Sequence, residues 1–232
     1  MQVKVLQATP NPMDLISRCA GACYGKDDIS HKRVRRCFES GHMSVFEHVV
    51  ITVEISGISR ACSHQLVRHR LASFSQQSQR YTKISGDDWY VMPESIDQAD
   101  RHSGLYTMEL VLAAKAYQDA LDDGIKPEDA RFLLPEATET HLVMTCNVRE
   151  LFHILDLRTD KAAQWEIRKL ANEIKAQAAK VDDQWAELLE LWETSIKTRE
   201  EKVQAIIEFF GADHDPDLVR DATAFLDKLL RR

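Results

Sequence analysis

Residues 68–81 read Arg68-His69-Arg70-Leu71-Ala72-Ser73-Phe74-Ser75-Gln76-Gln77-Ser78-Gln79-Arg80-Tyr81. These fourteen residues hold three arginines, three serines and three glutamines, and they hold no carboxylate. Arginine presents a rigid fork of donors that matches phosphate, while serine and glutamine hydrogen-bond to the polar edges of rings. The stretch therefore predicts a binding site for a planar anionic ligand. The alternative is a solvated basic face.

The composition favours a folded protein that binds a small ligand. The chain has 232 residues, 44% of them hydrophobic, and a net charge of −7. A long nucleic-acid track needs a broad basic surface, so an acidic protein with one basic segment is not expected to bind nucleic acid. No run of about 18 apolar residues occurs and the N-terminal residues lack a long apolar core, so neither a membrane span nor a signal peptide is expected.

The cysteines and histidines predict neither disulfides nor a metal site. The chain has five cysteines, an odd number, and no C-x-x-C pair. This usage is typical of a reduced, cytoplasmic protein whose small thiols are buried. The nine histidines include no H-x-x-x-H pair, so no metal is expected.

Hydrophobic periodicity predicts an α+β fold, a small antiparallel sheet packed with several helices. Alternation of apolar and polar residues predicts strands at 2–8, 49–56 and 139–147. Helical spacing predicts helices at 13–24, 31–40, 58–70, 104–123, 149–157 and 160–180. A loop or an irregular strand is expected after Arg70. The predicted first domain spans 1–182, and a helical C-terminal extension spans 183–232, with a last helix at 217–230.

Two predicted helices carry apolar stripes that are expected to face the core. The stripe of the helix at 104–123 consists of Leu105, Met108, Leu112, Ala116 and Leu121. The stripe of the C-terminal extension consists of Trp185, Leu188, Leu189, Trp192 and Ile196. Gly211 and the polar cluster 213–217 are expected to end that second helix.

Several arginines fall where predicted strands or helices end. They are Arg68, Arg70, Arg80, Arg131, Arg149 and Arg158. Each alone is typical of a surface ion pair, whereas together they are suited to binding more than one phosphate.

The chain has no G-x-G-x-x-G motif and no P-loop, so a nucleotide would be held by another device. Ser78 lacks the G-x-S-x-G context of a nucleophile, which favours a binding role. Cys62 and Cys146 fall in apolar patterns and are expected to be structural.

Three separated blocks of the chain resemble the flavin-dependent thymidylate synthases, the ThyX family. Arg68-His69-Arg70, seven further residues and Ser78 match the RHR-x7-S signature of that family. The segment from Gly41 to His48 is similar to the block before the signature. Asn147-x-Arg149 and the run from Leu157 to Ile167 are similar to later blocks. The resemblance covers roughly residues 13–175, and none is found for the region from about 185 onwards.

The resemblance implies a methyltransferase of nucleotide biosynthesis that converts dUMP to dTMP. Methylenetetrahydrofolate would supply the carbon, and FAD reduced by NADPH would supply the hydride. The family forms a homotetramer whose active sites are shared between chains, and a cytoplasmic location is expected. Two rival functions remain. One is a non-catalytic nucleotide- or RNA-binding module, and the other is a flavin-free thymidylate synthase with a catalytic cysteine.

By matching position, the resemblance implies roles for individual residues. Those expected to bind FAD are Ser44, Arg68, His69, Arg70, Gln76, Asn147, Arg149 and His153. Those expected to bind dUMP are Gln65, Arg68, Gln76, Gln77, Ser78, Gln79, Arg80, Arg131 and Arg158. The catalytic centre would contain Arg158 and Ser78. Arg158 would lie against the uracil and favour its ionised N3, because a fixed cation stabilises an anion. Ser78 would position the ligand, and His42 and His69 would lie near flavin and folate.

Two positions depart from the family pattern. Gln76 stands where some relatives carry Glu, so this side chain is able to hydrogen-bond but not to act as a base. His153 stands where some relatives carry Asn, and an imidazole retains one polar contact with a flavin.

Overall fold

A four-stranded antiparallel sheet forms the centre of the protein. The computed structural model describes residues 1–84 and 89–211. The strands are β1 (Gln2–Ala8), β2 (Val50–Ser59), β3 (Ser73–Gln76) and β4 (Glu139–Asn147). Their order across the sheet is β1-β2-β4-β3, and every neighbouring pair is antiparallel. The expected α+β class is confirmed.

Nine α-helices accompany this sheet within the described residues. They are α1 (Pro12–Ala22), α2 (His31–Glu39), α3 (Arg60–Leu66), α4 (Glu94–Asp97), α5 (Asp100–Asp122), α6 (Pro127–Ala130), α7 (Val148–Arg158), α8 (Trp165–Ala178) and α9 (Asp183–Gly211). Short 3-10 helices span Met43–His48 and Arg131–Leu133. None of the helices described is long and apolar enough to cross a bilayer.

The predicted alternation of β2 and β4 places one face of the sheet in the core. The residues of that face are fully buried or nearly so: Ile51, Val53, Ile55, Leu142, Met144 and Cys146. The opposite face is polar and half-buried, and on it the hydroxyls of Thr52 and Thr145 lie 3.0 Å apart. Helices therefore cover one side of the sheet, which is common in antiparallel sheets.

The strand β2 continues to Ser59, past residue 56, where the predicted strand ends. The register shifts between Ile55 and Ile58, and Gly57 there has a φ of 68°. A Cβ at Gly57 would lie 2.7 Å from the Met1 nitrogen, so only glycine fits this bulge. The bulge buries Ile58 and Ser59, and Ser59 Oγ then accepts a hydrogen bond from the Cys62 nitrogen at 3.0 Å as the cap of α3.

Helix α3 is shorter than predicted. It ends at Leu66 rather than at residue 70, and the chain then turns so that the His69 nitrogen donates to the Leu66 carbonyl at 3.1 Å. This turn buries the His69 ring and leaves Arg68 and Arg70 exposed. The following irregular strand, which was expected, is β3.

The predicted inward stripe of α5 is wrong for most of its residues. The side chains of Leu105, Met108 and Leu112 are about half exposed. The buried residues are instead Leu110, Tyr117 and Ala120, which lie on the opposite side of the helix. The physical reason is that α5 contacts α4, α6 and the second 3-10 helix, away from the sheet. It thereby forms a separate small cluster with Ala130 and neighbouring side chains.

The predicted stripe of the C-terminal region is confirmed in α9. Trp185, Leu188, Leu189 and Trp192 are buried in the same core as the sheet, and Ile196 packs against them. Helix α9 contacts α1 and α8. The domain boundary at residue 182 stays a prediction. The predicted break at 213–217 and the last helix at 217–230 lie outside the described residues.

Candidate active site

The arginine-rich stretch is divided by the short strand β3. Ser73 at the start of β3 pairs with Thr145, near the end of β4, whereas Gln76 pairs with Leu142, near its beginning. Four residues of strand separate the two halves of the stretch by about 13 Å. Arg68 and Arg70 therefore lie towards the junction of β4 and α7, and the residues from Gln77 onwards lie towards the opposite end of the sheet.

The first half faces residues that were expected to bind FAD. Arg68 and Arg70 are exposed, and neither forms an ion pair with a carboxylate of the described residues. Asn147 Oδ1 accepts a hydrogen bond from the Glu150 nitrogen at 2.9 Å, so Asn147 caps α7. Arg149 Nη1 donates to Glu47 Oε1 at 2.5 Å. This pair joins α7 to the 3-10 helix at 43–48, which also carries the exposed Ser44.

A buried cluster lies between α3 and α7. Arg158 Nε donates to His69 Nε2 at 3.0 Å, and Arg158 Nη2 donates to the Gln65 carbonyl at 3.3 Å. On the other side of the imidazole, His69 Nδ1 lies 3.4 Å from Glu150 Oε1. His69 is 4% exposed and Glu150 is 2% exposed. The structure therefore places His69 behind Arg158, with both ring nitrogens facing protein groups.

The surroundings of His69 keep its ring neutral. Burial lowers the pKa of His69 to about 4, and the Arg158 cation and His153 add to this effect. His153 is exposed, and its ring lies edge-on to the His69 ring at a centroid distance of 5.6 Å. Burial also raises the pKa of Glu150.

Gln76 points into the protein between α3 and β4. Its Nε2 donates to Ser63 Oγ at 2.9 Å and to Thr140 Oγ1 at 3.1 Å. A glutamate at this position would accept from these hydroxyls, whereas the amide nitrogen donates to them. The direction of these two hydrogen bonds would thus be reversed if the residue were glutamate.

The second half of the stretch forms a turn next to Glu128, which contacts two arginines. Ser78 Oγ accepts a hydrogen bond from the Arg80 nitrogen at 3.2 Å. Arg80 pairs with Glu128, with Nη2 and Oε2 2.8 Å apart, and Arg131 Nε donates to the Glu128 carbonyl at 3.0 Å. Two cations predicted to bind dUMP thus meet at Glu128. No histidine or carboxylate of the described residues hydrogen-bonds to Ser78 Oγ, and its role in binding stays a prediction.

Arg60 also belongs to this region, although the sequence did not single it out as a site residue. Arg60 Nη2 donates to the Gln77 carbonyl at 3.3 Å. Burial lowers the pKa of Arg60, and the Arg131 cation adds to the effect, so the two guanidinium groups are close. The feature of the sequence that could have pointed to Arg60 is its position directly after the strand β2. A cavity of about 160 Å³ is lined by Arg60, Gln77, Gln79, Thr82, Lys83, Ile84, Trp89, Thr138, Glu139 and Thr140.

The two buried cysteines are not suited to nucleophilic catalysis. Cys62 and Cys146 belong to the hydrophobic core. Burial raises the pKa of Cys146 to about 12, and it raises the pKa of Cys62 further. Because the thiolate is the nucleophile, thiols that stay protonated at neutral pH are unreactive. The geometry thus disfavours a flavin-free enzyme with a catalytic cysteine.

Sequence comparisons match most of the chain. The model of the family described as "Thymidylate synthase complementing protein" matches residues 4–182. A flavin-dependent thymidylate synthase of Geobacter sulfurreducens is 42% identical over 186 residues, which cover 75% of this chain and 80% of the relative. A flavin-dependent thymidylate synthase of Thermococcus onnurineus is 36% identical over 208 residues, covering 81% of this chain and 84% of the relative.

Two solved structures resemble the fold. One is the flavin-dependent thymidylate synthase ThyX of Helicobacter pylori in complex with FAD and dUMP. It has a TM-score of 0.68 and 26% identity, and the match covers 82% of this chain and 98% of that one. The other is a UMP/dUMP methylase, PolB of Streptomyces cacaoi, bound with 5-Br dUMP. It has a TM-score of 0.71 and 26% identity, with 82% and 94% covered.

Proposed function

Because the chain belongs to the flavin-dependent thymidylate synthase family, we propose that it methylates dUMP at C5 to give dTMP. The proposal includes methylenetetrahydrofolate as carbon donor and FAD, reduced by NADPH, as hydride source. The observation that carries it is the division of the RHR-x7-S signature by β3. One half carries the exposed Arg68 and Arg70 near α7, and the other half carries Arg80 beside Arg131.

The residues at the α7 end fit an FAD. Its two phosphates need fixed cations, and Arg68 and Arg70 are exposed without a carboxylate partner among the described residues. We propose that these arginines hold FAD together with Ser44, Arg149 and His153. When bound, reduced FAD supplies the hydride that completes the methyl group. His69 and Gln76 would act from behind this surface, because their polar atoms face protein groups.

The opposite end fits the phosphate of dUMP. Arg80 and Arg131 meet at Glu128, and Ser78 lies in the adjoining turn. We propose that the phosphate binds these groups and competes with Glu128 for Arg80. Gln65, Gln77 and Gln79 would contact the nucleoside.

Arg158 is the proposed group at the reacting base. Its guanidinium is held at Nε and Nη2 by His69 and Gln65, and its other N–H groups are free to face a ligand. A fixed cation at uracil N3 would stabilise the ionised base and make C5 more nucleophilic.

An oligomer with shared sites is part of the proposal. The outward stripe of α5, with Leu105, Met108 and Leu112, is apolar and half exposed. Phe132, just beyond α6, is 84% exposed. Clustered apolar side chains on a protein surface mark interaction sites, which supports a homotetramer.

All five cysteines carry free thiols, which supports a location in the reducing cytoplasm.

The test of the function is a spectrum and an assay. The purified protein should show the yellow absorbance of a bound flavin. With dUMP, methylenetetrahydrofolate and NADPH it should form dTMP. Arg158→Ala should lower kcat by at least about 100-fold, since the cation at N3 would be lost. Cys146→Ala should retain activity, because its thiol is protonated and buried. A protein that takes up no FAD and forms no dTMP would instead be the non-catalytic binding module.

The division between FAD and dUMP has its own test. Arg80→Ala should weaken dUMP binding by about 10- to 100-fold, because a charge-assisted contact to phosphate would be lost. FAD binding should change much less. Calorimetric titration with each ligand measures both affinities. Equal losses for the two ligands would show that the assignment of residues to ligands is wrong.

A further inference from the structure

Glu150 is a buried carboxylate to which neither the sequence nor the proposed function gives a role. It lies in the first turn of α7 and is 2% exposed. Glutamate is rarely buried to this extent unless its charge has a partner. The polar neighbour here is the neutral His69, whose Nδ1 lies 3.4 Å from Glu150 Oε1. The distance is longer than an ordinary N–H···O hydrogen bond, so the contact is an attraction between the carboxylate and the dipole of the neutral imidazole.

The hydrogen bond between Arg158 and His69 determines where the proton of the imidazole lies. Arg158 Nε only donates, so His69 Nε2, 3.0 Å away, must be the acceptor. A neutral imidazole carries its one proton on the other nitrogen, which here is Nδ1. That N–H faces the Glu150 carboxylate. The carboxylate therefore favours the one tautomer of His69 that accepts from Arg158.

Loss of the carboxylate would remove this preference. With the proton on Nε2, an N–H of His69 would face the N–H of Arg158, and the two donors would repel each other. Arg158 would then keep only its bond to the Gln65 carbonyl. Two of the five guanidinium N–H groups are now held by protein, which leaves three with a fixed direction.

We propose that Glu150 is a positioning residue, which acts through the buried His69 to fix the direction of the Arg158 guanidinium towards the substrate base. This inference rests on the proposed function, because it assigns Arg158 to uracil N3. It follows the arrangement in which a buried carboxylate orients a histidine that in turn holds a catalytic group. The charged and titratable groups that face His69 are Arg158, Glu150 and His153.

The test uses Glu150→Gln, which keeps the shape and removes the charge, and 5-bromo-dUMP as the probe. The halogen makes N3 acidic enough for its ionisation to be followed by ultraviolet absorbance during a pH titration of the bound nucleotide. In Glu150→Gln the N3 pKa of bound 5-bromo-dUMP should rise by about one unit relative to wild type, because a misdirected cation stabilises the anion less. The kcat for dTMP should fall by about 10- to 100-fold with little change in KM for dUMP.

The matched control is Glu166→Gln. Glu166 is also a 2% exposed carboxylate, but it accepts hydrogen bonds from the Ser59 nitrogen at 2.7 Å and from Ser59 Oγ at 2.5 Å. This substitution should lower thermal stability and leave the N3 pKa of the bound probe unchanged. If Glu150→Gln does not fold, Glu150→Asp takes its place, because it withdraws the carboxylate from His69 by one methylene and should shift the N3 pKa in the same direction.

A double-mutant cycle separates action through His69 from direct action. Glu150→Gln in a His69→Asn background should cause no further rise of the N3 pKa, since the link to Arg158 is already broken. Additive shifts would overturn the proposal, as would an unchanged N3 pKa in Glu150→Gln. Wild-type protein that does not bind 5-bromo-dUMP would overturn the proposed function, and this inference with it. Binding with an unshifted N3 in wild type would overturn the role of Arg158 alone.

Discussion

Helices α5 and α9 have similar sequence patterns and opposite surroundings. Both are long, and both carry an apolar stripe at helical spacing. The stripe of α9 is buried against α1 and α8, whereas Leu105, Met108 and Leu112 on α5 are half exposed. Periodicity shows that a helix has an apolar face, but it does not show whether that face meets the same chain. The stripe of α5 is suited to a second copy of the chain.

The two helices also differ in their hydrogen bonds, because α9 is bonded to other parts of the chain and the bond given for α5 stays within that helix. Hydrogen bonds join the start of α9 both to α1 and to the segment just before α1. Trp185 Nε1 donates to the Thr9 carbonyl at 2.9 Å, and the Asp14 nitrogen donates to Gln184 Oε1 at 3.0 Å. In α5 the side-chain hydrogen bond from Gln118 Nε2 to Asp122 Oδ1, 2.8 Å, stays within one turn. Helix α9 is thus part of the fold of one chain.

Trp185→Ala should have the largest effect. The side chain is fully buried and also donates a hydrogen bond, so the free energy of unfolding should fall by about 4 kcal/mol. Urea denaturation followed by circular dichroism measures it. Leu105→Ala on α5 is the control and should cost less than about 1 kcal/mol within a protomer. Equal losses of unfolding free energy in the two variants would contradict the conclusion that α9, and not the stripe of α5, is packed within the protomer.

Leu112→Glu should act on assembly rather than on the fold of the protomer. A carboxylate in an apolar contact between copies must be desolvated, so the association constant should fall by at least about 100-fold. Sedimentation velocity over a range of protein concentrations measures this. The matched control is Ala186→Glu on the exposed side of α9, which should leave the oligomer intact. An unchanged sedimentation coefficient for Leu112→Glu would remove α5 from the interface.

The anchor of α9 to α1 and α2 should depend on pH. His31 Nε2 lies 3.0 Å from Asp14 Oδ1, and His31 Nδ1 lies 2.7 Å from Glu187 Oε2. The hydrogen bond with Asp14 raises the pKa of His31, and Glu187 adds to this effect against the cost of burial. Protonated His31 therefore stabilises the fold. The contribution is complete below its ordinary pKa of 6.5 and is lost as pH rises through the raised value.

His31→Gln accordingly should cost about 0.5–1 kcal/mol at pH 6 and almost nothing at pH 9, the size being limited by the partly exposed ring. Urea midpoints of both proteins at the two pH values give the difference. Arg35→Gln is the control, because Arg35 also pairs with Glu187 at 2.6 Å but keeps its charge at both pH values. If the cost of His31→Gln grew as pH rises, the protonated form of His31 would not be the one that stabilises the fold.

Glu193→Gln should have the smallest effect. Lys175 Nζ lies 2.5 Å from Glu193 Oε1, and both side chains are partly exposed. Such a pair contributes less than about 0.5 kcal/mol and is screened by salt. Thermal denaturation at low and at high salt measures the contribution. A loss as large as that of His31→Gln at pH 6 would show that this ion pair contributes more than a partly exposed pair is expected to.

The parts of the fold that were predictable are those whose surroundings belong to the same chain. Alternation in β2 and β4 and the stripe of α9 predicted the buried faces correctly. The face of α5 was not predictable, because its connections place it away from the sheet. The predicted strand ends at residue 56, but β2 continues through a bulge, since Gly57 adopts a positive φ while pairing with β4 resumes at Ile58.

The motif of the candidate site was predictable from the sequence, but which of its side chains are buried was not. The spacing from Arg68 to Ser78 and the later Arg158 are visible in the sequence. That His69 turns inwards depends on the early end of α3, which the apolar spacing of residues 58–70 concealed. Glu150 gave one signal, an acidic residue four positions before the buried Ile154 and thus on the core side of α7. Only the position of His69, in the turn after α3, identifies its partner.

The bond between Trp185 and Thr9 also has a consequence for synthesis on the ribosome. The two residues are 176 positions apart. At roughly 5–20 residues per second, about 10–35 seconds pass between the synthesis of Thr9 and that of Trp185. During that interval α1 lacks the helix that covers it in the finished protein. A ribosome that pauses shortly before Trp185 would therefore hold a nascent chain with an exposed apolar surface at its oldest end, and that surface is where a chaperone would bind.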